Sequence, residues 1–78
     1  MSPRQPRITA REIIAVLERR GFHFVRSRGS HQIYRNAFGR RTTVSVHAGE
    51  IVSLKVLRNI LSDAEMTVEE LLRELGRE

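Results

Sequence analysis

Residues 22–35 read FHFVRSRGSHQIYR. Aromatic and branched side chains crowd residues 22–26, Arg28-Gly29 supplies turn chemistry, and residues 32–35 resume the strand-like run. The stretch therefore predicts two strands joined by a short turn. A break at Asn36-Ala37-Phe38-Gly39 precedes residues 42–46, where Val44 and Val46 alternate onto one face. Parallel strands need a crossover of a dozen residues or more, so connections this short predict an antiparallel meander.

Helical signals flank the meander on both sides. Upstream, Thr9-Ala10-Arg11-Glu12 has the form of a capping box, and Ala10, Ile13, Ile14 and Leu17 follow at helical spacing. Gly21 fits the left-handed position beyond the helix end, which predicts a first helix over 10–20. Downstream, Ser53 is a candidate N-cap, and Leu54, Leu57, Ile60 and Leu61 form a second stripe that breaks at Ser62-Asp63. Thr67-Val68-Glu69-Glu70 is another capping box, leading into Leu71, Leu72 and Leu75 before Gly76. The order is helix, three strands, helix and a short C-terminal helix. Two helices can cover one face of a three-stranded sheet and leave the other open. The expected class is α+β, with the layout of a double-stranded-RNA-binding-like sandwich. Residues 1–7 hold both prolines and read as a flexible arm, with residues 8–78 as one domain.

Size and composition narrow the chemistry. At 78 residues, a chain buries only roughly 60% of its unfolded surface, so a site belongs on an open face and not in a deep cavity. There is no cysteine, which excludes disulfides, thiolate zinc sites and a cysteine nucleophile. That fits a cytoplasmic protein. No apolar run approaches the roughly 20 residues needed to span a bilayer, and residues 1–7 lack the apolar stretch of a secretory signal. Charge is lopsided. Residues 1–47 hold ten arginines and two acids, a balance of +8, whereas residues 48–78 hold four basic and seven acidic residues, a balance of −3. Such a localised positive field suits polyphosphate, which guanidinium forks grip with paired hydrogen bonds.

Histidine is the side chain that ordinarily titrates near neutral pH, so the three histidines are the candidate bases. His23, between two phenylalanines, reads as an ordinary surface residue. His31 follows Gly29-Ser30 at the mouth of the second strand, with Arg26, Arg28 and Arg35 close in sequence, and His47 ends the third strand. Cleavage of RNA by its own 2′-hydroxyl needs a base for that proton and cations for the charge building on phosphorus. One imidazole among guanidiniums supplies both. Gly29 allows close backbone approach to a phosphate, and Ser30 offers a hydroxyl. The remaining inventory is poor in alternatives: there is no glycine-rich nucleotide loop, no His-x-x-x-His spacing for a metal, and no acid between Glu18 and Glu50 to orient a triad. No metal or cofactor is expected. Strict alternation puts His31 on the same side as Ile33, which is expected in the core. Either the strand begins after His31 or a bulge turns it outward.

Taken together, Arg20-Gly21-Phe22, then Arg26-x-Arg28-Gly29-Ser30-His31-x-Ile33-Tyr34, then Val44-x-Val46-His47-x-Gly49-Glu50, then Leu57-Arg58-x-Ile60-Leu61 resemble the HicA toxin family. The resemblance spans roughly residues 8–75. It implies a double-stranded-RNA-binding-like fold, metal-independent mRNA cleavage that inhibits growth, and a cognate HicB-like antitoxin. It carries the catalytic role onto His31, with Arg26, Arg28, Gly29, Ser30 and Arg35 as RNA-binding residues and His47 as an auxiliary. Many relatives carry a second histidine where Gln32 stands, and often Gly-Leu-Thr where Glu65-Met66-Thr67 stands. The competing reading is a non-catalytic double-stranded-RNA-binding module, which needs no histidine. A helix-turn-helix DNA binder fits less well, because the strands interrupt its helices.

Overall fold

The computed structural model describes residues 7–47 and 49–77, so residues 1–6 of the expected arm lie outside the described residues. The elements run α1 (Ala10–Arg19), β1 (His23–Arg28), β2 (His31–Arg35), β3 (Arg41–Ser45), α2 (Leu54–Asp63) and α3 (Val68–Glu74). The strands form one antiparallel sheet in the order β1-β2-β3, so the α+β meander read from the sequence is what the chain adopts.

Local chemistry starts and stops the helices. Thr9 and Thr67 close full capping boxes with Glu12 and Glu70, and the Ser53 hydroxyl accepts from the Val56 amide. All three helices end alike, with a six-to-one bond closed by Phe22 onto Leu17, Met66 onto Leu61 and Arg77 onto Leu72. That closure needs a left-handed residue one position earlier. Gly21 and Gly76 supply it after α1 and α3, but after α2 the position is Glu65, at φ 54°. Hence α2 runs through Asp63, beyond the break expected at Ser62.

The same closure corrects the first strand, which starts at His23 and not Phe22. The Phe22 amide bonds the Leu17 carbonyl at 3.0 Å, and its ring is buried. One core cluster joins Ile13, Val16 and Leu17 of α1 and Leu57, Ile60 and Leu61 of α2 to Tyr34 and Val44 of the sheet. Helices thus cover one face of the sheet along β2 and β3, while β1 stays exposed. The segments entering α1 and α2 are tied by the Val52 amide donating to the Ile8 carbonyl at 2.7 Å. Among the described residues no helix is long and apolar enough to cross a membrane.

A basic grid on the open sheet face

Residues directly opposite each other in a ladder share a face. Tyr34 pairs with Thr42 and Gln32 with Val44, and Tyr34, Thr42 and Val44 are buried. These are the helix-covered positions. The alternate positions form three rows across the other face, from β1 to β3: His23-Arg35-Arg41, then Arg26-Ile33-Thr43, then Arg28-His31-Ser45. Rows two residues apart are separated by about 6.7 Å along a strand.

A bulge in β1 makes this arrangement. The register shifts between Phe24, opposite Tyr34, and Arg26, opposite Ile33, leaving Val25 as the extra residue. Without it, Arg26 and Arg28 would follow Phe24 onto the helix side. The bulge places both in the His31 grid instead. It answers the conflict over His31 and Ile33 in an unexpected way: neither is rotated, and both belong to the open face. Ile33, expected in the core, is buried but stands outside the main core cluster. Gln32 lies on the opposite side, where its carbonyl accepts from the Tyr34 hydroxyl at 2.7 Å. Burial, with the charge of Glu18 adding to it, holds the Tyr34 phenol above its usual range and keeps it a donor.

His31 is the first residue of β2, directly opposite Arg28 and Ser45, and exposed. The turn before it is Gly29-Ser30, one residue later than expected. Gly29 takes φ 59°, the positive angle that a glycine at the first central position provides in tight hairpins. Ser30 is half-buried, and its carbonyl accepts from the Val46 amide at 2.8 Å. A groove between β3 and α2 is lined by His31, Arg41, Thr43 and Ser45 from the sheet and by Asn59 and Asp63 from the helix. A second groove, lined by His47 and Glu50, shares Ser45 and Val56 with the first. His47 therefore lies across that pair from His31.

The grid is electrostatically one-sided, since no acid occurs between Glu18 and Glu50 and so none of the strands carries one. Arg26, Arg28, Arg35 and Arg41 make no ion pair with a described residue. Several arginines elsewhere are paired. Arg19 and Arg20 pair with Glu74, and Arg20 also reaches Glu70. Arg77 bonds Glu12 and the Arg7 carbonyl. Arg40 donates to the carbonyls of Ser62 and Asp63 at the end of α2.

Of the residues singled out from sequence, Arg26, Arg28, His31 and Arg35 share this face. Gly29 and Ser30 form the turn beside it, and His47 lies beyond its edge. Sequence reasoning missed Arg41, Asn59 and Asp63. Arg41 was recoverable, because a hairpin folded about Phe38 pairs it with Arg35. Asn59 and Asp63 carried no such signal. Among the described residues no cluster of three or more histidine, aspartate or glutamate side chains could hold a metal ion.

A search of curated proteins finds no match. A family model described as the HicA toxin of bacterial toxin–antitoxin systems matches residues 10–66. That span runs from the start of α1 past the end of α2 and contains all three rows of the grid, leaving only α3 and the termini outside. By this match, which takes in well over half of its length, the chain belongs to the HicA toxin family of bacterial toxin–antitoxin systems.

Proposed function

We propose that this toxin is an endoribonuclease that cleaves mRNA in the cytoplasm, with His31 as its general base. The observation that carries the reading is the row Arg28-His31-Ser45, an exposed imidazole beside an uncompensated guanidinium on a sheet without carboxylates. His31 accepts the proton of a ribose 2′-hydroxyl. The 2′-oxygen then attacks the adjacent phosphorus, the bond to the 5′-oxygen breaks, and that oxygen leaves with a proton from water. A 2′,3′-cyclic phosphate and a 5′-hydroxyl end result. Arg28 and Arg26 face the phosphoryl oxygens as charge develops, and Gly29 and Ser30 offer the turn as a further donor. His47 is an auxiliary that can approach the same phosphate from across Ser45. The chemistry requires a 2′-hydroxyl, so DNA is not a substrate, and it calls on no metal or cofactor. A HicB-like antitoxin would silence it by presenting acidic or backbone groups to the same face.

The test is cleavage of a defined RNA, in chelator, by wild type and His31→Ala. Loss of a general base slows such reactions by roughly 10²–10⁴-fold, so His31→Ala abolishes cleavage and growth inhibition while still binding RNA. Full cleavage by a folded His31→Ala protein overturns the role of His31. Wild-type RNA binding without cleavage would leave the non-catalytic module standing.

A further inference from the structure

The row farthest from His31 sets two arginines directly opposite each other, Arg35 on β2 and Arg41 on β3. Like charges in that relation destabilise a sheet, and neither guanidinium has an acidic partner among the described residues. Arg35 leans over the hairpin tip, its Nη2 lying 3.9 Å from where a side chain on Gly39 would begin. The tip is built firmly. Asn36 Oδ1 accepts from the amides of Phe38 and Arg40 at 3.0 and 2.9 Å, and the Arg40 side chain anchors it to the end of α2. On this pinned tip Phe38 is 91% exposed. An occupant that brings negative charge and a flat apolar face together would suit this exposed phenylalanine and the two arginines, neither in an ion pair, at the base of its hairpin. An unstacked nucleotide brings both.

We propose that Arg35, Arg41 and Phe38 form a second nucleotide subsite, holding a single-stranded RNA segment by its phosphate on the two arginines and its base against Phe38. The subsite lies two rows, about 13 Å, from His31. That exceeds the gap between neighbouring phosphates, so it grips a different nucleotide of the same strand and fixes which phosphate falls at His31. This rests on the reading of RNA as substrate, and deepens it by requiring an unpaired segment beyond the cut. It also moves Arg35 out of the His31 cluster and into a site of its own.

Binding of an uncleavable 2′-O-methyl single strand of about eight nucleotides separates the parts, because it reads affinity without chemistry. Phe38→Ala weakens binding by on the order of tenfold with an unchanged salt slope, since stacking releases no counterions. Arg35→Gln with Arg41→Gln flattens the slope of log affinity against log salt by about 0.7, one phosphate. The double lysine variant keeps the slope. A duplex of the same sequence is insensitive to Phe38→Ala, because its bases are already stacked. Variants that bind like wild type overturn the subsite and leave His31 untouched. Wild type that binds no RNA at all overturns both readings, and equal loss of duplex and single-strand binding in Phe38→Ala overturns the stacking role.

Discussion

Arg20, at the end of α1, and Arg28, at the end of β1, are the same side chain in opposite settings. Arg20 reaches two glutamates of α3 and fastens one helix to another. Arg28 faces His31 across the ladder and meets no acid among the described residues. The division extends over the molecule. Acids of α1 and the C-terminal third pair with Arg19, Arg20, Arg40 and Arg77, while a sheet drawn entirely from an acid-free stretch keeps its positive field. Guanidiniums that have found carboxylates hold the fold. Those that have not are the ones the proposed reading assigns to a phosphate chain.

The sharpest way to break this contrast is to compare the two sheet faces. Leu57→Ala, beneath the helix-covered face, removes a fully buried side chain and should cost about 2–5 kcal/mol, most of a small domain's stability. His31→Ala on the open face should change the midpoint of thermal unfolding little while cleavage is lost. Calorimetry beside the cleavage assay reads both, and a large fall in Tm for His31→Ala would make the open face structural.

Next come the two arginines themselves. Arg28→Ala should flatten the salt dependence of single-stranded RNA binding by about 0.7 and leave stability alone. Arg20→Ala should do the reverse, costing about 1 kcal/mol or less because its partners stand near the surface. If Arg20→Ala altered the salt slope as much as Arg28→Ala, the division between paired and unpaired arginines would carry no functional meaning.

Acid should act on the helix side first. Glu12 is held below the usual carboxylate range by the Thr9 amide, which outweighs the opposing effect of burial, with the Thr9 hydroxyl and Arg77 assisting. Glu70 is held low by the amide and hydroxyl of Thr67, with Arg20 nearby. A folded pKa below the unfolded one contributes stability that is complete above the unfolded value and lost as pH falls through the folded one. Thermal stability should therefore decline as pH drops below the ordinary glutamate range, and Glu12→Gln with Glu70→Gln should shallow that decline. A wild-type profile flat through this range would remove these boxes from the stability of the fold.

Smallest of all is the effect at Glu65, the left-handed residue after α2 in a position glycine fills after α1 and α3. Glu65→Gly relieves strain of about 1 kcal/mol and gives up only an exposed ion pair to Arg40. A modest rise in Tm with unchanged RNA binding is expected. A fall would show that the contact to Arg40 matters more than the backbone.

What the sequence determined by itself was local. Capping boxes at Thr9 and Thr67 bind groups three residues apart, glycine supplies the turn before His31, and alternation of Val44 with Val46, just past the end of β3, needs only neighbouring residues. The motif around Gly29-Ser30-His31 likewise carried the family. Which face His31 occupies was not local. The register shift at Val25 leaves Phe24 edge to face with Tyr34 on one side and puts Arg26 and Arg28 on the other, and it shows only once β1 is paired with β2. The Arg35–Arg41 row depends on the register of a hairpin, and Asn59 and Asp63 reach the groove only through the packing of α2 beside β3. A cap is satisfied within one turn of chain, but a register is decided by the surface it must cover.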